Sequence, residues 1–200
     1  MDWGVWGQRI ARGANRFWNG SGESKPWLRR VLAVVLLLLM PGPILYLLIF
    51  RFVPVPFSPE MVINVVTLNE THYSWAGDSV SPYLKQAVIA SEDQKFCRHH
   101  GFDWDEINHA LKTHERHPKR KLRGASTLSQ QTARTLFLVP WRSWVRKGVE
   151  AYLTVLMEFL WPKNRILDAY VNTVDFGSGT FGAEAAAPRS FHLPASALPP

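Results

Sequence analysis

Glu92 and Asp93 stand in the first of four stretches whose residue types could do chemistry: Ser91-Glu92-Asp93-Gln94-Lys95-Phe96-Cys97-Arg98-His99-His100-Gly101-Phe102-Asp103. Two adjacent carboxylates end a helical pattern that begins apolar, with Val88 and Ile89 just ahead of Glu92. A carboxylate half-buried beside apolar groups holds its proton to higher pH, which suits a general base. The plainer reading is a solvated helix end or an ion pair.

The second stretch is Gly124-Ala125-Ser126-Thr127-Leu128-Ser129-Gln130-Gln131. Small residues lead into a helix whose free N–H groups favour an anion such as phosphate. The hydroxyls of Ser126 and Thr127 and the amides of Gln130 and Gln131 add directional contacts. Arg134 lies two turns beyond Ser126 and is placed to reach the same anion. The alternative is an ordinary Ser/Thr helix cap. The third stretch is Arg146-Lys147-Gly148-Val149-Glu150. Its i,i+3 and i,i+4 spacings put both cations and the carboxylate on one helix face. That is either a surface salt bridge or a second carboxylate held beside two cations. The fourth runs from Lys163 through Ile166, Leu167 and Tyr170 to Asn172, followed by the glycine-rich Gly177 to Gly182. On its own it is an amphipathic helix and a turn.

The elements that must carry these residues read mainly as helix. Ser81-Pro82 caps a helix that continues toward Phe96. Asp103 with Glu106 makes a capping-box-like start, followed by Ile107, Ala110 and Leu111 on one face. Ser126 starts a helix toward Leu138, Trp144 to Trp161 is a long helix ending at Pro162, and Asn164 to Val171 is a shorter one. Strand signals are weak; Met61 to Val66 is expected to be a strand or short extended piece.

Ahead of this domain, Val31 to Phe50 is an uncharged, mostly apolar run. About 20 residues suffice to cross a bilayer. Pro41-Gly42-Pro43 should kink it. Arg9, Arg12, Arg16, Lys25, Arg29 and Arg30 precede the run, and only Arg51 follows it closely. Positive-inside logic places the N-terminus in the cytoplasm and the domain outside the membrane. The organisation is therefore a basic tail (1–30), a transmembrane helix (31–50), a proline-rich linker (51–60) and one domain (61–200). Beside Leu136 to Val139, Pro140, Trp141 and Trp144 form an apolar patch that is either a core corner or a surface against the membrane.

Composition narrows the function classes. Hydrophobic residues make up 46% and charged residues 20%, which excludes a disordered chain. The single cysteine, Cys97, excludes an internal disulfide and a multi-thiolate metal site. The net charge of +7 is concentrated partly in Arg116 to Arg123, a run without interleaved aromatics. Outside the membrane it meets no nucleic acid; it is a solvated basic loop or a contact for anionic headgroups or pyrophosphate.

Taken together and in this order, the four stretches resemble the peptidoglycan glycosyltransferases, also called transglycosylases or glycosyltransferase family 51. Glu92, Asp93, Phe96, His99 and Gly101 match the family's first motif. Gly124, Ser126, Thr127, Gln130 and Gln131 match its second, and Arg146, Lys147 and Glu150 its third. Lys163, Ile166, Leu167, Tyr170 and Asn172 match its fourth. The resemblance spans roughly residues 80 to 195. Departures are Arg134-Thr135 for the usual Lys-Asn, Asp168 for the usual Glu, and Pro188 and Ser190 where the family runs a helix into Tyr-Phe. The family normally continues into an alanine-rich helix where this chain reads Pro199-Pro200, so a shortened C-terminus is expected.

The resemblance implies a mainly α, lysozyme-like glycosyltransferase domain preceded by one transmembrane helix. It implies polymerisation of lipid II, with a polyprenyl-pyrophosphate-linked donor and the 4-hydroxyl of an acceptor. Glu92 and Glu150 are the implied catalytic residues, set well apart as in inverting enzymes. Ser126, Thr127, Gln130, Gln131, Arg134, Arg146, Lys147 and Lys163 are the implied substrate contacts. No cofactor is certain; a divalent cation, magnesium or manganese, stays open, with its ligands unknown. Implied partners are lipid II, the growing glycan, the membrane, and cell-division or penicillin-binding proteins. The implied location is the inner membrane, with a periplasmic catalytic domain. Rival expectations are a lysozyme-like glycan hydrolase and a non-catalytic cell-wall scaffold that keeps the fold.

Overall fold

The computed structural model describes residues 41–67, 70–117, 124–141 and 143–200, together with Trp27, Arg30, Val31 and Val34. Most of the basic tail, the first half of the expected span and the basic run from Pro118 to Arg123 lie outside the described residues. Residues Met1–Pro43 and Ile44–Pro200 form two separate compact units. Among the described residues, no helix is long and apolar enough to cross a membrane.

Helix α1 (Pro41–Phe50) opens the described chain. Its Leu47 is fully buried in the core of the second unit. The Leu47 carbonyl accepts from Trp161 Nε1 at 2.6 Å, and Arg165 donates to the Phe50 and Val53 carbonyls at 2.5 and 2.6 Å. Arg165 also lies over the rings of Trp75 and Trp161, at 5.0 and 5.2 Å. One guanidinium thus ties the last residue of the apolar run and the segment after it to the domain.

Residues 61–66 are not a strand. They lie in α2 (Pro59–Val66), because Ser58 accepts from the Met61 amide and Pro59 occupies the first turn. Met61 alone of this helix is buried. The β-branched residues that suggested a strand, Val62, Val65 and Val66, are left on its exposed side. The cap signal outweighs their β-propensity.

The only described sheet pairs β1 (His72–Tyr73) with β2 (Thr180–Phe181) in parallel. The ladder closes through His72 N donating to Gly179 O at 2.9 Å. Gly179 has φ +70°, and a Cβ there would lie 2.1 Å from the Glu70 carbonyl oxygen, so only glycine fits.

The core is helical. Helices α3 (Pro82–Glu92), α4 (Trp104–Arg116), α5 (Leu128–Phe137), α6 (Trp144–Leu160), α7 (Lys163–Thr173) and α8 (Ala183–Phe191) follow in order. Helix α5 is the central element and packs against both α6 and α7. It buries Leu128, Ala133 and Leu136 but also Ser129, Gln130 and Thr132. The polar ones are tolerated because each is satisfied; Thr132 Oγ1, for example, donates to Leu128 O at 2.8 Å. In α7, buried Asn172 accepts from Ala76 N at 2.7 Å and donates to Gly77 O and Asp168 O, both at 2.8 Å.

Some expected helix ends and caps differ. Helix α3 stops at Glu92 rather than near Phe96. The Ser81 hydroxyl does not cap it but donates to Leu198 O at 2.7 Å. The cap of α5 is Thr127, not Ser126, because the capping box needs Gln130 three residues on. Helix α8 runs through Pro188 to Phe191, so that substitution leaves the helix in place. Ala195 and Leu198 pack into the core beyond it.

Candidate active site

A cleft of about 560 Å³ opens between the end of α3, the start of α4 and the N-terminal half of α5. Glu92, Lys95, Asp103, Ser126, Gln131 and Arg134 are among its lining residues. Glu92 is exposed as the last residue of α3. The half-buried setting expected for it is absent, because α3 ends there and the chain turns away. Its Oε2 accepts from Gln131 Nε2 at 3.0 Å. The Gln131 Oε1 accepts in turn from the Tyr170 hydroxyl at 3.2 Å.

Asp93, the neighbouring carboxylate, does something different. It is buried, and its oxygens lie 3.0 and 2.9 Å from His99 Nε2. Asp93 Oδ2 also accepts from the Leu128 amide at 2.9 Å. Leu128 is the first residue of α5, so the N-terminus of that helix already holds an anion, supplied by the chain. Two more amides there are also paired. Thr127 Oγ1 accepts from Gln130 N at 3.2 Å and donates to Gly101 O at 2.7 Å. Gln130 Oε1 accepts from Thr127 N at 3.1 Å. Asp93 therefore takes the first of these amides, and Thr127 Oγ1 and Gln130 Oε1 serve the cap. Gly101 completes the join with φ +91°; a Cβ there would lie 2.9 Å from Thr154 Cγ2.

Ser126, released from capping, reaches the third stretch. Lys147 Nζ lies 3.4 Å from Ser126 Oγ. Lys147 also pairs with Glu150 Oε1, and Arg146 Nη1 pairs with Glu150 Oε2 at 3.0 Å. The Glu150 side chain is 1% exposed, and Lys147 is 41% exposed. A buried carboxylate thus anchors one half-exposed ammonium beside a cleft-lining serine. The Arg146 Nε is buried without a partner among the described residues.

Lys163 sits elsewhere. It pairs with Glu158 Oε1 at 2.7 Å and lies 4.5 Å above the Phe96 ring, and it does not line the cleft. Glu158 also accepts from Ser129. The structure therefore brings Glu92, Ser126, Gln131 and Arg134 together at the cleft. It connects Lys147, Glu150 and Arg146 to it through Ser126, keeps Thr127 on its wall as the cap of α5, and places Gln130 and Lys163 behind.

Electrostatics divide the cleft. Lys95 reaches Asp103 and Asp105 at 3.4 and 3.2 Å on the α4 side. Amide donation from Glu106, with Lys95 nearby, holds Asp103 below the usual carboxylate range. Arg134 supplies the positive charge on the α5 side. On α2, burial and the charge of Asp175 push the Glu60 carboxyl up, while Arg134 opposes them. Two residues escaped the sequence reading as site components: Asp93 as a clamp, and Tyr170 as the group behind Gln131. The Asp93 contact spans 35 residues, so no local pattern could signal it. Asp168, the shorter carboxylate in the fourth stretch, pairs with Lys85 at 2.7 Å.

Residues 60–200 match the family model described as Transglycosylase. The chain is 46% identical over 172 residues to the biosynthetic peptidoglycan transglycosylase of Caulobacter vibrioides, an overlap of 86% of this chain and 74% of that protein. It is 45% identical over 187 residues to the Pectobacterium carotovorum protein of the same name, covering 90% of this chain and 76% of that one. With the Klebsiella oxytoca protein of that name it shares 52% identity over 158 residues, 75% of this chain and 65% of the relative. These matches, made over the residues that build the cleft, make the protein a glycosyltransferase: the chain belongs to the transglycosylase family.

Proposed function

We propose that this chain polymerises lipid II into peptidoglycan glycan strands, in a lysozyme-like domain of the cell envelope. The observation that carries the reading is the pairing, in one cleft, of an exposed carboxylate, Glu92, with a cation, Arg134, and a serine that Lys147 touches. A sugar hydroxyl is a poor nucleophile, so a base must take its proton as it attacks. Glu92 takes that proton from the 4-hydroxyl of the acceptor. The new bond forms from that oxygen to C1 of the donor sugar, and the C1–oxygen bond to pyrophosphate breaks with inversion. The polyprenyl pyrophosphate leaves as an anion, which needs charge neutralisation more than a proton. Arg134 and Lys147 provide it, and Glu150 holds Lys147 in place.

The alternative role for Glu150, as a metal ligand, fits less well. Both of its oxygens are engaged by Arg146 and Lys147. Among the described residues no group of three acidic, His or Cys side chains could hold a metal ion. No step here is assigned to one.

A lipid-linked substrate also suits the surface. Trp141, Trp144 and Val145 are 65%, 92% and 79% exposed, an apolar patch at the start of α6. Such a patch fits a membrane face where a lipid is taken up. Together with the apolar run before the domain, it favours an inner-membrane enzyme with a cytoplasmic N-terminus and a periplasmic domain. Partners in the cell-division or penicillin-binding class belong to the same proposal.

Incubating the purified full-length protein with lipid II and sizing the products tests the reading. Longer glycan strands with release of polyprenyl pyrophosphate support it. Shortening of preformed glycan without polymer would establish the hydrolase instead. In a binding assay, Arg134→Ala should weaken donor affinity more than Glu92→Gln does; equal donor affinity for Arg134→Ala and wild type contradicts the pyrophosphate role.

A further inference from the structure

The geometry points to Tyr170 and Gln131 as positioning residues for the base: a hydrogen-bonded relay, Tyr170 hydroxyl to Gln131 amide to Glu92 carboxylate, fixes which oxygen of Glu92 takes the proton. This rests on the assignment of Glu92 as base. A glutamine side chain has a donor end and an acceptor end, and reversing it would turn its carbonyl toward the Glu92 carboxylate. The Glu92 carboxylate, which can only accept, sets the amide's direction, and Tyr170 holds it from the other end. Its hydroxyl donates to Gln131 Oε1 at 3.2 Å, which leaves Gln131 Nε2 to donate to Glu92 Oε2 at 3.0 Å.

The phenol is a dependable donor. Burial, and next the negative charge of Glu92, push Tyr170 up to about 12, with Arg134 opposing them. It keeps its proton throughout the range where an enzyme works. Tyr170 is itself buried on α7, and α7 packs against α5, so the relay is anchored in the core rather than in a loop. Glu92 Oε2 is thereby loaded, and Oε1 receives no hydrogen bond from the described residues. Oε1 is then the oxygen left to accept the acceptor proton. Besides Tyr170, the charged groups around Glu92 are Asp93 beside it, Lys95 and Asp103 before α4, Glu106 on α4 and Arg134 on α5.

Two variants of the full-length protein test the relay in a lipid II polymerisation assay run across pH. Tyr170→Phe keeps the ring but frees the Gln131 amide. Gln131→Glu keeps the size and removes the donor toward Glu92. Losing a hydrogen bond to a charged group predicts that kcat falls about 3- to 10-fold in Tyr170→Phe and at least about 10-fold in Gln131→Glu. For Tyr170→Phe the KM for lipid II should stay within about twofold, since Tyr170 is buried behind Gln131 and does not line the cleft. The acid limb of the kcat profile should move to higher pH, because an ionised carboxylate loses a donor. A raised KM with unchanged kcat, or an acid limb that does not move, overturns the relay while Glu92→Gln remains inactive. An active Glu92→Gln overturns the base assignment itself, and the relay with it.

Discussion

Replacing Asp93 with alanine should unlock the join between the first and second stretches. Asp93 serves two partners, His99 Nε2 through both oxygens and the Leu128 amide through Oδ2 at 2.9 Å. A hydrogen bond to a charged group contributes about 1.5–3 kcal/mol, so the two partners together give about 3–6 kcal/mol. Alanine also relieves the desolvation of a carboxylate that is 4% exposed at its side chain, which returns about 1–2 kcal/mol. The net loss lies between about 1 and 5 kcal/mol, centred near 3 kcal/mol. In a domain of this size each kcal/mol lowers Tm by about 2–4 °C, so Asp93→Ala should melt about 5–15 °C below wild type. Asp93→Asn keeps one acceptor and should fall about halfway between. The assay is circular-dichroism melting of the full-length protein in detergent, at fixed pH and protein concentration. An Asp93→Ala protein that melts within about 2 °C of wild type would refute the clamp.

Three further outcomes follow from the same contacts. Gly101→Ala puts a Cβ 2.9 Å from Thr154 Cγ2 at φ +91°, and should cost about 1–3 kcal/mol in denaturant unfolding. Glu150→Gln leaves two cations without their buried counter-charge. It should lose about 2–4 kcal/mol, less than a fully buried pair because Lys147 is half exposed, and should slow polymerisation about 10- to 100-fold. Glu60 has a raised folded-state pKa, caused first by burial. The native state then binds more protons than the unfolded one just above the usual carboxylate range, so stability falls as pH rises through that window. Glu60→Gln should flatten the fall and melt higher than wild type at pH 8; equal slopes for the two proteins would contradict this.

Much of the helical frame was legible in the residues. Asp103 caps α4 by accepting from Glu106 N, as its spacing promised, and α6 ends at Leu160, with Trp161 as its cap ahead of Pro162. These are local signals, carried within one turn of helix. What misled was also local: Val62, Val65 and Val66 favour a strand until Ser58 and Pro59 are weighed as a helix start. The site was harder. Glu92, Ser126, Gln131 and Arg134 do meet in one cleft, and types and spacing nominated all of them. The division of labour among neighbours was hidden. Glu92 is exposed while Asp93 is buried, and Ser126 faces Lys147 while Thr127 caps α5. Such choices depend on which way a chain turns after a helix end, and on partners tens of residues away. Lys163 shows the same limit, since the family resemblance implied a substrate contact and gave no sign of its pairing with Glu158 or its place over Phe96.

The central claim is that Glu92 is the base of glycan polymerisation in this cleft. The most direct measurement compares lipid II polymerisation by wild type and Glu92→Gln, alongside their melting curves. Glu92→Gln should melt like wild type, since the residue is exposed and its amide can still meet Gln131. Polymer formation should fall at least about 100-fold, the lower range for losing a general base. Glycan strands made at the wild-type rate by a folded Glu92→Gln protein would contradict the claim.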